Sequence, residues 1–138
     1  MTVTVKYGRT HSYTQMANGE PFRPYVPVRL QYGGRSHDTL GLIDSGADTS
    51  MFHTQFAPAL GIDLSKGQPG TSQGIGGSAN VVYFDIFLTV FGKRFPARVA
   101  FINDNRFKSF GLLGRHDFFM SFRVGFDQPA TQVFLHQQ

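Results

Sequence analysis

A carboxylate, a hydroxyl and a glycine stand together at Asp44, Ser45 and Gly46, inside the stretch "LGLIDSGADTSMF" (Leu40–Phe52). An apolar run leads into them and an apolar pair follows, so the acid is carried toward what reads as core. A buried carboxylate without a partner is costly, and such a position needs a partner, a shifted pKa or a chemical task. Acid–base catalysis is such a task. Two carboxylates held about 3 Å apart cannot both ionise and share one proton over a wide pH range. One then acts as general base on a water while the other, protonated, polarises a carbonyl, which hydrolyses a peptide bond without a metal. The acids Asp38, Asp63, Asp85, Asp104 and Asp127 lie in polar settings, and none repeats the apolar–Asp–Ser–Gly context. The second carboxylate therefore has to come from a second copy of the chain, across a two-fold axis between two Asp44 side chains.

Other chemistry fits less well. Asp44 as a simple turn cap is the bland alternative. "DSGADT" has the form of a phosphorylation-dependent degradation signal, but that needs exposed, disordered flanks, and "LGLI" and "MF" argue burial. Ser45 lacks the G-x-S-x-G elbow of a serine nucleophile. "GIGG" (74–77) lacks the Lys-Ser/Thr of a phosphate loop. His11, His37, His53, His116 and His136 show no ligand spacing and the chain has no Cys, so no metal site is expected.

The elements that must position Asp44 belong to one domain's worth of chain. The sequence has 138 residues, 41% hydrophobic and 16% charged, with 15 Phe and no Trp. The net charge is +4, yet the basic residues are scattered, with only Lys93 and Arg94 adjacent. A solvated, mildly basic surface is the better reading than a nucleic-acid site. No run approaches the roughly 18 apolar residues of a membrane span. The N-terminus has no signal-peptide pattern, and the expectation is a soluble, cytoplasmic protein.

"YVPVRLQY" alternates as a half-buried strand from Tyr25, Gly33-Gly34 makes a hairpin turn, and a second strand runs from Arg35 to Ile43. Asp44 to Asp48 is then a loop, and "SMFHTQFAPALG" suits a short strand and a brief helical turn ending at Gly61. "SKGQPGTSQGIGGSAN", with five glycines, reads as a mobile loop and poor strand material. Val81–Phe91 is the strongest strand, with a Gly92-Lys93 turn into "RFPARVAFI". Phe118, Phe119 and Phe122 have helical spacing, the Phe-rich tail from Phe118 to Phe126 reads as core, and two short strands follow around Gln128-Pro129. Residues 1–24 read as an arm or an edge strand, with alternation confined to Thr2–Tyr7.

"LIDSGADTSMF" resembles the active-site segment of retropepsin-type aspartic proteases, the single-domain dimeric relatives of pepsin. "GLLGRHDFF" resembles that family's second motif, and "GIGG" the tip of its flap. The three occur in the family's order between about Tyr25 and Leu135. The resemblance implies an all-β fold, a small closed acid-protease β-barrel with one short C-terminal helix, assembled as a homodimer. Residues 25–138 would be the protease domain. Asp44 would be the catalytic residue within an active-site loop of Ser45, Gly46, Ala47 and Asp48. Ser45 stands where Thr is more usual, and its hydroxyl would bond across the dimer axis. Asp48 and Arg115 would form a structural ion pair. Gly74, Ile75, Gly76 and Gly77 would form the flap tip over an extended peptide. Leu112, Leu113 and Gly114 would line the crossing beneath the active site, and the C-terminal strand around Thr131–Leu135 would join the dimer sheet. No cofactor is implied. His116-Asp117 departs from the family pattern. The reading is an aspartic endopeptidase; a catalytically inactive dimer that binds extended peptides is the alternative.

Overall fold

Val26, Val28 and Leu30 point inward and Pro27 and Arg29 outward, and the sheet is built outward from this alternating strand. The computed structural model describes residues 2–74 and 77–138. Among the described residues the strands are β1 (Arg9–Ser12), β2 (Tyr25–Tyr32), β3 (Arg35–Ile43), β4 (Met51–His53), β5 (Gln68–Gly74), β6 (Gly77–Val90), β7 (Lys93–Ile102), β8 (Gly111–Leu113), β9 (Phe122–Asp127) and β10 (Gln132–Gln137). One helical turn, α1 (Phe118–Ser121), precedes β9. Short 3-10 turns at Thr54–Phe56 and Pro58–Leu60 follow β4, the second ending at Gly61 in the left-handed conformation.

The larger sheet runs β2-β3-β8-β4-β7-β6-β5, and β2 also pairs with β6, so six of its strands close into a ring. The long β6 allows this by changing partner along one edge. Its first half pairs with β5, from Gly74↔Gly77 to Gln68↔Tyr83, and Phe87–Thr89 pair with β2. The ring encloses a core that includes Val26, Leu30, Phe52, Leu88, Val99, Phe101, Leu113 and Phe118. A smaller cluster of Met51, Val81, Ala100 and Ile102 has Leu112 packed against it. Protein, mostly β, is thus arranged around an apolar interior.

The second sheet has the order β1-β10-β9. β1 pairs antiparallel with β10 from Arg9↔Leu135 to Ser12↔Gln132. Tyr13, just past β1, is buried in the common core. The strand therefore lies beyond the Thr2–Tyr7 alternation, where β10 supplies the backbone partner. Both edges of β10 are occupied within the chain, by β1 and β9.

Three local expectations are corrected. Gln68–Gly74, read as a mobile loop, is a strand, because pairing with β6 satisfies its backbone despite weak propensity. Glycines make room: a Cβ on Gly67, just before the strand, would lie 2.3 Å from Phe84 and Val82 side-chain atoms, and one on Gly70 within it 2.5 Å from Tyr83. The β6–β7 turn is Phe91-Gly92, one residue earlier than expected, with φ of 46° and 80° at its two residues. Such a doubly left-handed turn matches the twist of the paired strands. Phe118 and Phe122 stack in the core, with centroids 5.0 Å apart, but Phe126 is 45% exposed near the end of β9.

Candidate active site

β3 delivers Asp44. Its last three residues pair in parallel with β8, Gly41↔Gly111 to Ile43↔Leu113. The Asp44 N–H then donates to the Leu113 carbonyl at 3.1 Å and extends the ladder by one bond. There the chain turns. Gly46 N–H donates to Asp44 Oδ1 at 2.9 Å, and Ala47 N–H to the Asp44 carbonyl at 3.2 Å. The carboxylate is thus held by its own loop, an arrangement Asp favours in turns. Asp44 is half-buried and Ser45 and Gly46 are exposed. The acid is therefore not sunk in the core but presented at the end of a core strand. A Cβ on Gly46 would come within 3.2 Å of Asp44 Oδ1.

The loop rests on the segment that follows β8. This short strand threads between β3 and β4, pairing with β4 at Met51↔Leu112. Leu113 is fully buried and Leu112 half-buried, which anchors the crossing in the core. Past it, Arg115 N–H donates to the Ala47 carbonyl at 2.8 Å and His116 N–H to the Asp48 carbonyl at 2.9 Å. Gly114 lies so close that a Cβ there would stand 2.7 Å from the Thr49 carbonyl carbon and 2.9 Å from the Ala47 oxygen. Only hydrogen fits between the two segments. Arg115 Nη2 reaches Asp48 Oδ1 at 2.5 Å, with the side chains 57% and 63% exposed. An ion pair that exposed contributes about 1 kcal/mol or less, so the backbone bonds carry more of the seating.

Sequence reasoning missed a buried pair behind this seat. Ser50 Oγ–H donates to Asp117 Oδ1 at 2.5 Å, the Gly114 N–H donates to Ser50 Oγ at 3.0 Å, and Phe118 N–H donates to Asp117 Oδ1 at 2.6 Å. Asp117 is 7% exposed. Burial pushes its carboxyl above the ordinary aspartate value, against the lowering by the Ser50 and Phe118 hydrogen bonds and His116. One local signal existed: an Asp directly before a helically spaced Phe run is a cap residue, and Asp117 does cap α1.

β5 and β6 form the hairpin read as the flap. Gly74 and Gly77 pair at its tip. Ile75 and Gly76, expected between them, lie outside the described residues. Among the described residues no three His, Asp or Glu side chains gather as metal ligands, and no helix is long and apolar enough to cross a membrane.

Compared with known families, residues 26–116 match the family described as aspartyl protease. The chain belongs to the aspartyl protease family. That family is related to the retropepsin-like proteases whose motifs the sequence resembles. The matched span holds Asp44–Asp48, the β5–β6 hairpin and Leu112–Arg115. Asp117 lies one residue past it, and the β1-β10-β9 sheet outside it. A comparison with curated proteins finds no match.

Proposed function

We propose that the chain is an aspartic endopeptidase, active as a symmetric homodimer of small closed acid-protease barrels in which each copy contributes one Asp44. A water is held between the two carboxylates, which share a proton. The ionised Asp44 takes a proton from the water as its oxygen bonds to the peptide carbonyl carbon. The protonated Asp44 gives its proton to the carbonyl oxygen. Collapse of the tetrahedral intermediate breaks the C–N bond, with a proton passing to the leaving nitrogen. Ser45 hydroxyls tie the two loops across the axis, and the β5–β6 hairpins close over an extended substrate and exclude bulk water.

One observation carries this reading: within an aspartyl protease family match, Asp44 stands at the exposed turn of a loop bolted to β8. The neighbouring acids have other duties. Asp48 faces Arg115, and Asp117 lies buried with Ser50 and the α1 N-terminus. A second Asp44 is the acid left to complete the dyad. Because β10 has both edges paired in its own chain, a second copy would dock without adding a strand to β10.

The test is cleavage of a mixed library of extended peptides, from about pH 3 to 8, by the wild type and by Asp44→Asn. Acid-favoured cutting that vanishes in Asp44→Asn supports the shared dyad. A folded wild type that binds peptides at every pH and cuts none would turn the assignment to the peptide-binding alternative.

A further inference from the structure

We infer that Ser50 and Asp117 are positioning residues for the Asp44 loop, acting through a single peptide group. The Leu113–Gly114 peptide is gripped at both ends. Its carbonyl accepts the Asp44 N–H at 3.1 Å, and its N–H donates to Ser50 Oγ at 3.0 Å. A hydroxyl that accepts from that peptide must point its own proton elsewhere, and the Ser50 proton goes to Asp117 Oδ1 at 2.5 Å. Phe118 N–H fixes the same oxygen at 2.6 Å. The donations therefore run from the Asp44 N–H through the Leu113–Gly114 peptide and the Ser50 hydroxyl to Asp117 Oδ1, where the Phe118 N–H donates from the other side.

Burial makes the relay stiff. Ser50 is fully buried and Asp117 nearly so, so no water competes freely for these bonds. The relay also joins two segments 67 residues apart in sequence. The active-site hydrogen bonds at Ala47 and Asp48 hold the loop's far end; Ser50 and Asp117 hold the peptide on which Asp44 itself hangs. This inference rests on the protease reading only for its effect on catalysis.

Asp117 borders a cavity of about 320 Å³ whose other charged or titratable walls are Asp85 of β6, Arg98 of β7 and His116. Asp85 and Arg98 face each other at 3.4 Å. Burial raises the Asp117 pKa, while Ser50, Phe118 and His116 oppose the rise. The native state then binds more protons than the unfolded one, so stability is full below the unfolded value of 3.8 and is lost as pH climbs through the raised one. The Ser50 and Phe118 bonds favour the ionised form, so this pH effect on stability comes from the burial of Asp117 and not from the clamp's hydrogen bonds.

The experiment compares wild type, Ser50→Ala, Asp117→Asn and a control, Ser65→Ala, which removes another Ser–Asp bond at a remote surface turn. Amide hydrogen exchange is followed at Asp44 and Gly114, with kcat, KM and melting temperature as functions of pH. Ser50→Ala is expected to speed exchange at both amides by about tenfold. Its kcat should fall by about tenfold or more, with KM within about twofold. Ser65→Ala should match wild type. Asp117→Asn keeps an oxygen acceptor, so it should hold the protection at both amides and lose the decline in melting temperature with rising pH. If Ser50→Ala does not fold, Ser50→Cys, of similar volume with a weaker donor, should move both amides the same way. Unchanged exchange at Asp44 and Gly114, or exchange that rises with kcat unaltered, overturns the inference. Exchange reads the clamp even if the wild type cuts no peptide, so a failure of the protease reading is distinguished from a failure of the relay.

Discussion

Replacing Gly114 by Ala tests most directly how the Asp44 loop is held. The new Cβ would stand 2.7 Å from the Thr49 carbonyl carbon, 2.9 Å from the Ala47 oxygen and 3.0 Å from the Ser50 nitrogen, where ordinary contact begins at 3.4 Å. All three atoms are backbone, so no rotamer change relieves the clash. The loop has to retreat by about 0.7 Å, the difference between 3.4 and 2.7 Å. That retreat stretches the Arg115–Ala47 bond of 2.8 Å and the Gly114–Ser50 bond of 3.0 Å. Overpacking costs about 1–3 kcal/mol and each weakened hydrogen bond up to about 1 kcal/mol more. A total of about 2–4 kcal/mol lowers the melting temperature of a chain this size by roughly 10 °C. Thermal unfolding followed by circular dichroism at one protein concentration measures it, since any assembly makes the midpoint concentration-dependent. Gly34→Ala is the control, because its Cβ would meet nothing within 4 Å, and it should stay within about 0.5 kcal/mol of wild type. A Gly114→Ala midpoint within about 2 °C of wild type would refute the close seating of the loop.

The Asp48–Arg115 pair should matter little to stability. Both side chains are more than half exposed, so Asp48→Asn should shift urea unfolding by about 1 kcal/mol or less, and a loss of several kcal/mol would mean the pair is shielded. Arg106 holds the Asp104 carboxyl down to about 2, so carboxyl NMR should show Asp104 ionised until the pH falls near that value and Arg106→Gln should return it toward 3.8. The accompanying stability, present above the unfolded value of 3.8, is lost on acidification toward the folded one. Gly67→Ala forces a methyl within 2.3 Å of Phe84 and Val82; it should destabilise by about 1–3 kcal/mol and speed amide exchange through Gln68–Thr71 before the rest of the sheet, an order that uniform exchange would contradict.

Much of the scaffold was readable because its signals are local. Alternation marks β2 and the latter part of β6, Gly33-Gly34 marks the first hairpin, and Asp44 ends a strand that turns apolar on both faces. The Asp48–Arg115 contact was reached only through the resemblance, and the structure does bring the two side chains together. The reading failed where propensity and partner disagree. Gln68–Gly74 carries the turn-prone Pro69, Gly70, Ser72 and Gly74, yet a long β6 edge makes it a strand. Residues 1–24, read as an arm or an edge strand, hold β1 at the edge of the second sheet, and pairing with β10 sets where in that segment it lies.

The amino-acid sequence alone determined which segments extend, where they turn, and that one carboxylate sits at the end of an apolar strand beside a glycine. Side-chain period and turn chemistry act over a few residues, so they are legible in order along the chain. Tertiary structure decided what surrounds that carboxylate. It threaded β8 between β3 and β4, left no space for a side chain at Gly114, and joined Ser50 to Asp117 across 67 residues. Those contacts depend on strand order and register, which arise when distant segments compete for the same backbone partners, and no local pattern encodes the outcome.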